Sequence, residues 1–166
     1  MHLGALQKVS IVYLDKIEPN RSVCMSSKIG TSSPVYCTAM GKAMLAFQSE
    51  QTIEETMAKM HFARYTPKAP CSPETLLKYL ERVRCRGYSI DDEEIEFGTR
   101  CIGAPIFDEG HRVVAAVSVS GTSSRITAQK RAANCGTPAA LLPRYLRVAR
   151  QDTKKKGHLA PSSLRH

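Results

Sequence analysis

This chain of 166 residues is defined first by what it lacks. No apolar stretch approaches the roughly 20 residues that a membrane helix needs, and no secretory signal pattern opens the chain, so neither a membrane protein nor an exported one is expected. Zinc-module spacing is missing too. The six cysteines (Cys24, Cys37, Cys71, Cys85, Cys101 and Cys135) form no C-x-x-C pair, and no His-x-x-x-His accompanies them. No metal and no cofactor is therefore expected, and with no export signal the thiols are expected reduced, in a cytoplasm. Acidic residues are nearly absent from one region. Residues 125–166 hold 10 Lys+Arg against the single Asp152, whereas residues 1–124 hold 14 of each sign. The net charge of +9 thus belongs to the tail, and this argues against a basic nucleic-acid face on the body of the protein.

What is present suits one globular domain, with 42% hydrophobic and 23% charged residues. "VSIVYLDKIE" (9–18) is rich in β-branched residues and predicts a strand. "EPNR" supplies a turn, and "SVCMSSKIG" (22–30) predicts the second strand of the same hairpin, with "TSSP" as a loop. "TAMGKAMLAF" (38–47) places Met40, Ala43, Met44 and Phe47 at helical spacing behind Thr38 as N-cap. "TIEETMAKM" (52–60) opens on a capping-box pattern. "SPETLLKYLERVRCRG" (72–87) carries a cap, a first-turn proline, an apolar stripe at Leu76, Leu77, Leu80 and Val83, and a closing glycine. "CIGAPIFD" (101–108) and "VVAAVSVSG" (113–121), split by "EGHR", predict two antiparallel strands, with Ser118 and Ser120 on one face. The order ββ, ααα, ββ predicts an α+β domain with an antiparallel sheet flanked by helices. Beyond Thr127 three prolines and no amphipathic period predict a disordered tail, with a short basic helix at "LLPRYLRVAR" as the alternative there.

"IGTSSPVYCTAMGKAMLAF" and "RGYSIDDEEIEFGTRCIGAPIFDEGHRVVAAVSVSGTSSRIT" together resemble the C-terminal effector-binding domain of the IclR family of bacterial transcriptional regulators. The resemblance spans residues 2–127 and rests on G-K-A-x-L-A, D-x-E-E…G-x-x-C-I and S-V-S-G in family order. "HLGAL", "IVYLDKIEPN" and "SKIG" resemble regulators of sugar-acid and pectin-product breakdown within it. The resemblance implies a GAF/profilin-like fold over 1–127, a small organic-acid effector, and a homodimer or homotetramer. It also implies DNA contact only through a helix-turn-helix domain, of which no pattern precedes the first strand, and no membrane partner. Residues 128–166 depart from the family's terminal helix, as a slipped coding frame near residue 128 would produce.

The same resemblance implies an effector pocket at Met25, Ser33, Ala39, Met40, Asp91, Thr99, Cys101, Ser118 and Ser120. Ala39 stands where many relatives have glycine, and Met40 where some have alanine. Elementary chemistry agrees with an acid there. The helix start at 38–41 offers backbone N–H groups, the two serines donate and accept, and Asp91 accepts from ligand hydroxyls. No lysine or arginine falls in the set. The remaining acids of 91–96 read as a solvated loop, Arg100 as the partner of a neighbouring carboxylate, and Lys42 carries no assigned role. Three rivals exist: a hydrolase using Cys101 or Ser118 with His61 or His111 as base, a nucleic-acid arm in the tail, and a non-functional regulator fragment.

Overall fold

The structure, a computed structural model, describes residues 1–18 and 27–126. Among the described residues six strands form a single antiparallel sheet: β1 (His2–Gln7), β2 (Ser10–Lys16), β3 (Ser32–Pro34), β4 (Ser89–Asp92), β5 (Thr99–Phe107) and β6 (Val113–Thr122). Their order across the sheet is β3-β2-β1-β6-β5-β4. Three helices, α1 (Ala39–Leu45), α2 (Glu50–Ala58) and α3 (Pro73–Arg86), come between β3 and β4 in the chain. The α+β architecture is the expected one, with the helices inserted between early and late strands.

The first hairpin is not the expected one. β2 turns back on β1 through Lys8 and Val9, with Lys8 at φ 55, and pairs with β3 on its other edge. "HLGALQ" holds a histidine and a glycine in place of β-branched residues, so propensity hid this strand. "SSP" is a three-residue strand rather than loop, and Ser27–Gly30 leads into it without pairing as one. Of the predicted strand at 22–30, residues 22–26 lie outside the described residues, as do the tail, its basic helix, Cys24 and Cys135.

The helices obey local rules. Thr38 accepts from the Gly41 N–H, and Ser72 accepts from the Thr75 N–H ahead of Pro73. Gly87 closes α3 in the left-handed region at φ 78, a conformation that glycine adopts without steric cost. α2 begins a turn earlier than the capping-box pattern at Thr52 suggests. Its cap is Ser49, whose side chain accepts from the Thr52 N–H.

α1 lies across the sheet and organises the core. Ala43, Leu45, Ile11, Val35, Leu76 and Val83 around it are fully buried. Removing the leucine, isoleucine and valine side chains from water stabilises the fold by about 1.5–3 kcal/mol each. A smaller apolar cluster of Ile17, Ala104 and Val117 occupies the opposite sheet face. The start of α1 rests directly on the sheet because Gly103 has no side chain. A Cβ there would meet the carbonyl carbon and oxygen of Ala39 at 2.6 Å. At Gly4 it would meet the Met40 side chain at 3.2 Å. From β4, the buried Ser89 hydroxyl donates to the Ala39 carbonyl.

Candidate functional site

Strand register builds the site. Gly103 pairs with Ser118, and Ser118 with His2; one step along, Asp91 pairs with Cys101, and Cys101 with Ser120. Paired residues share a face and so do residues two apart, so both rows face α1. Between them and the α1 start lies a cavity of about 320 Å³. Ser33, Ala39, Met40, Asp91, Thr99, Cys101, Ser118 and Ser120 all line it. Met25 lies outside the described residues.

Thr38, at the helix start expected to meet the acid, lines the cavity too, and six further lining residues escaped the sequence reading: His2, Tyr13, Ser27, Thr31, Ile95 and Glu96. The early ones come from β1, β2 and the turn before β3, where the hairpin was misread. Once β1 is known to sit beside β6, His2 follows from its register with Ser118.

Several of the polar groups already have partners. His2 Nε2 is 2.8 Å from Ser27 Oγ, and its ring meets Tyr13 edge-on at 5.3 Å. The Tyr13 hydroxyl is 3.3 Å from Ser33 Oγ. Thr38 Oγ1 donates to the Pro34 carbonyl at 2.9 Å and accepts from Gly41 at 3.1 Å, so its hydroxyl is committed to the cap. Asp91 Oδ1 accepts from the Glu94 N–H at 2.9 Å, which fixes the turn after β4.

Burial dominates the electrostatics. It raises the Asp91 carboxyl above its ordinary value, against the pull of the Glu94 N–H and of Lys42. Burial, then the nearby Asp91, pushes the Cys101 thiol up to about 12. Burial, the chain's amino group and Lys16 together lower His2 to about 4, so its ring is neutral near pH 7. Among the described residues no lysine or arginine lines the cavity.

The acidic stretch is not the solvated loop expected of it. Ser89–Asp92 is strand β4, and Glu94 is 1% exposed. Both Glu94 carboxylate oxygens accept from the ammonium of Lys42, itself 0% exposed, with the Tyr79 ring 4.7 Å away. This pair joins α1 to the turn that carries Ile95 and Glu96 into the cavity. Lysine and glutamate are almost never fully buried unless paired, and the interior of α1 gave no cue that its lysine points inward. Arg100 does pair with a neighbouring carboxylate, that of Asp92, and it donates to the Ser123 and Ile126 carbonyls at 2.8 and 2.9 Å.

The cavity lacks an activated thiol nucleophile among the described residues. A thiol pushed to about 12 stays protonated, and the thiolate is the nucleophile. His61 and His111 are exposed and do not line the cavity. Among the described residues no group of three or more His, Cys, Asp and Glu could hold a metal ion, and no helix is long and apolar enough to cross a membrane.

Comparison with known proteins accords with this picture. A family model described as "Bacterial transcriptional regulator IclR C-terminal" matches residues 1–138. The chain is 38% identical over 130 residues to the HTH-type transcriptional regulator KdgR of Escherichia coli, covering 78% of this chain and 49% of that protein. It spans about half the length of the curated relatives it matches. The crystal structure of the Thermotoga maritima IclR superposes with a TM-score of 0.79 at 35% identity, over 90% of this chain and 60% of that one. An IclR homolog from Microbacterium hydrocarbonoxydans, complexed with 4-hydroxybenzoate, superposes with a TM-score of 0.67 at 26% identity, over 73% and 50%.

Proposed function

The chain belongs to the family of bacterial transcriptional regulator IclR C-terminal domains, and from that premise we propose that it is the part of a regulator that senses a small organic acid. The observation that carries the reading is convergence. Separate segments bring Ser33, Ser118, Ser120 and Asp91 around one cavity of about 320 Å³, within the range of small-molecule sites. Ala39, Met40, Thr99 and Cys101 complete the wall, and Met25 belongs to the same proposed set.

The ligand class follows from the donors and acceptors. Serine hydroxyls serve a carboxylate or a hydroxyl oxygen equally, and Asp91 accepts from ligand hydroxyls. A hydroxylated carboxylic acid uses both. The resemblance to sugar-acid regulators and the 4-hydroxybenzoate held by the Microbacterium homolog support that class. Such a ligand bridges α1 and β6. It therefore favours whichever arrangement of subunits, in a homodimer or homotetramer, closes the cavity around it, and it shifts DNA affinity through that equilibrium. DNA contact would belong to a helix-turn-helix domain of the whole regulator, outside residues 1–127. The domain itself catalyses nothing in this reading, which the protonated Cys101 supports.

The test is a thermal-shift screen with D-gluconate, D-galacturonate, glyoxylate and 4-hydroxybenzoate. A ligand at a hundred times its dissociation constant adds about 2.7 kcal/mol of stability, a shift of several degrees. Met40→Ala should enlarge the site and move the preference toward longer acids, read as a reordering of the shifts. No shift from any acid, together with ester hydrolysis lost in Ser118→Ala, would overturn the reading in favour of a hydrolase.

A further inference from the structure

We propose that His2 is the cationic partner of the bound carboxylate and takes up a proton as the ligand binds, while the Asp91 end of the same wall receives the ligand's hydroxyls. This rests on the organic-acid reading above and adds an orientation and a proton to it.

The argument starts from the register. Ser118 is the cross-strand partner of His2, so a carboxylate held by Ser118 sits beside the imidazole. Asp91 lies in the neighbouring row, paired with Cys101 and through it with Ser120. The polar wall therefore has a carboxylate at one end and an imidazole at the other. Glu96 also lines the cavity, and among the described residues no lysine or arginine does. A carboxylate placed near Asp91 would meet like charge, whereas near His2 it meets, among the described lining side chains, the one able to become a cation.

His2 is 3% exposed and is built for this change. The groups facing it are the chain's amino group on its own strand, Tyr13 and Lys16 on β2, Glu18 just beyond, Ser27 before β3, and Ser118 on β6. Among the described residues Met40 on α1 and, in the same cavity, Asp91, Cys101 and Glu96 are also near it. Lys16 donates to the Ser27 carbonyl at 2.8 Å and pairs with Glu18 at 2.7 Å. Burial holds the free imidazole neutral, helped by the chain's amino group and then by the Lys16 ammonium. An arriving anion reverses that balance by favouring the charged ring. The Ser27 hydroxyl accepts as readily as it donates, so the ring keeps this partner when doubly protonated.

The sign follows. The free ring holds its proton only below about 4, and the bound ring holds it to higher pH. Between those values, binding consumes a proton, and affinity weakens by about tenfold for each unit of rising pH.

The experiment is calorimetry on the full chain at pH 5.5, in two buffers of different ionisation enthalpy, with the same four acids. For any acid that binds, the wild type should take up most of one proton, and its affinity should fall steeply between pH 5 and 6. His2→Gln should abolish the uptake, flatten the pH profile and weaken binding about tenfold or more at pH 5.5, whereas Asp91→Asn should retain the uptake. Binding without proton uptake in the wild type overturns the inference and leaves the organic-acid reading standing, and this holds even if His2→Gln fails to fold. Uptake that persists in His2→Gln does the same. If none of the four acids binds the wild type, the organic-acid reading falls and takes this inference with it.

Discussion

Lys42→Met is expected to destabilise the domain by about 3–5 kcal/mol, seen as a fall in Tm of roughly 10–20 °C. The charge it removes is fully buried and bonded to both oxygens of Glu94, which is also buried. Removing one partner leaves the other uncompensated, and that cost exceeds the net worth of the intact pair. Lys42→Met combined with Glu94→Leu should therefore recover most of the loss, which a double-mutant cycle measures directly. The pH dependence of the single variant has a fixed sign. Burial already pushes Glu94 up to about 7, against the pull of Lys42. Without the ammonium its folded pKa rises further, while the unfolded chain keeps the ordinary 4.5. The folded state then binds the proton more tightly than the unfolded chain, so the variant loses stability as pH rises through that window and recovers it below about pH 5. A variant that melts with the wild type, or whose deficit grows on acidification, would contradict this account of the pair.

Gly103→Ala is expected to lower stability by about 1–3 kcal/mol and to weaken ligand binding by at least about a hundredfold. The added methyl would sit 2.6 Å from the carbonyl carbon and oxygen of Ala39 and 2.9 Å from the Met40 nitrogen, all of them backbone atoms. Comfortable separation needs about 3.5 Å, so the start of α1 must lift by about 1 Å. That movement strains the bond from Ser89 to the Ala39 carbonyl and carries Ala39 and Met40 away from Ser118, the cross-strand partner of Gly103. Hydrogen bonds weaken steeply over such a displacement, so a ligand bridging helix and sheet loses contact on one side. Thermal melts paired with calorimetry separate the two effects. Near-normal affinity in a folded Gly103→Ala domain would mean that the ligand does not bridge α1 and the sheet.

How much of this was legible beforehand depends on the range over which each residue acts. α3 was readable to its ends because Ser72, Pro73 and Gly87 act on their own helix. Ser118 and Ser120 were readable as a same-face pair because the period of a strand is local. The pairing of β1 with β6 was not, since its partners stand more than a hundred positions apart and a strand's sequence does not name its neighbour. His2 was missed for that reason, and with it the imidazole end of the cavity. Glu94 looked like one acid among five until Lys42 was found opposite it, and a buried ion pair leaves no periodic signature. The family resemblance named eight residues that line one cavity, because it carries the long-range packing that local rules omit.

The central claim, that the wall formed by Ser118 and Ser120 holds a small acid, is tested most directly by titrating the best ligand of the four-acid screen into wild type, Ser118→Ala and Ser120→Ala by calorimetry at one pH. Loss of a hydrogen bond to a charged ligand costs about 1.5–3 kcal/mol, so each change should weaken binding by roughly ten- to a hundredfold while leaving the melting temperature of the free protein nearly unchanged. An acid that binds all three proteins with equal affinity would contradict the account.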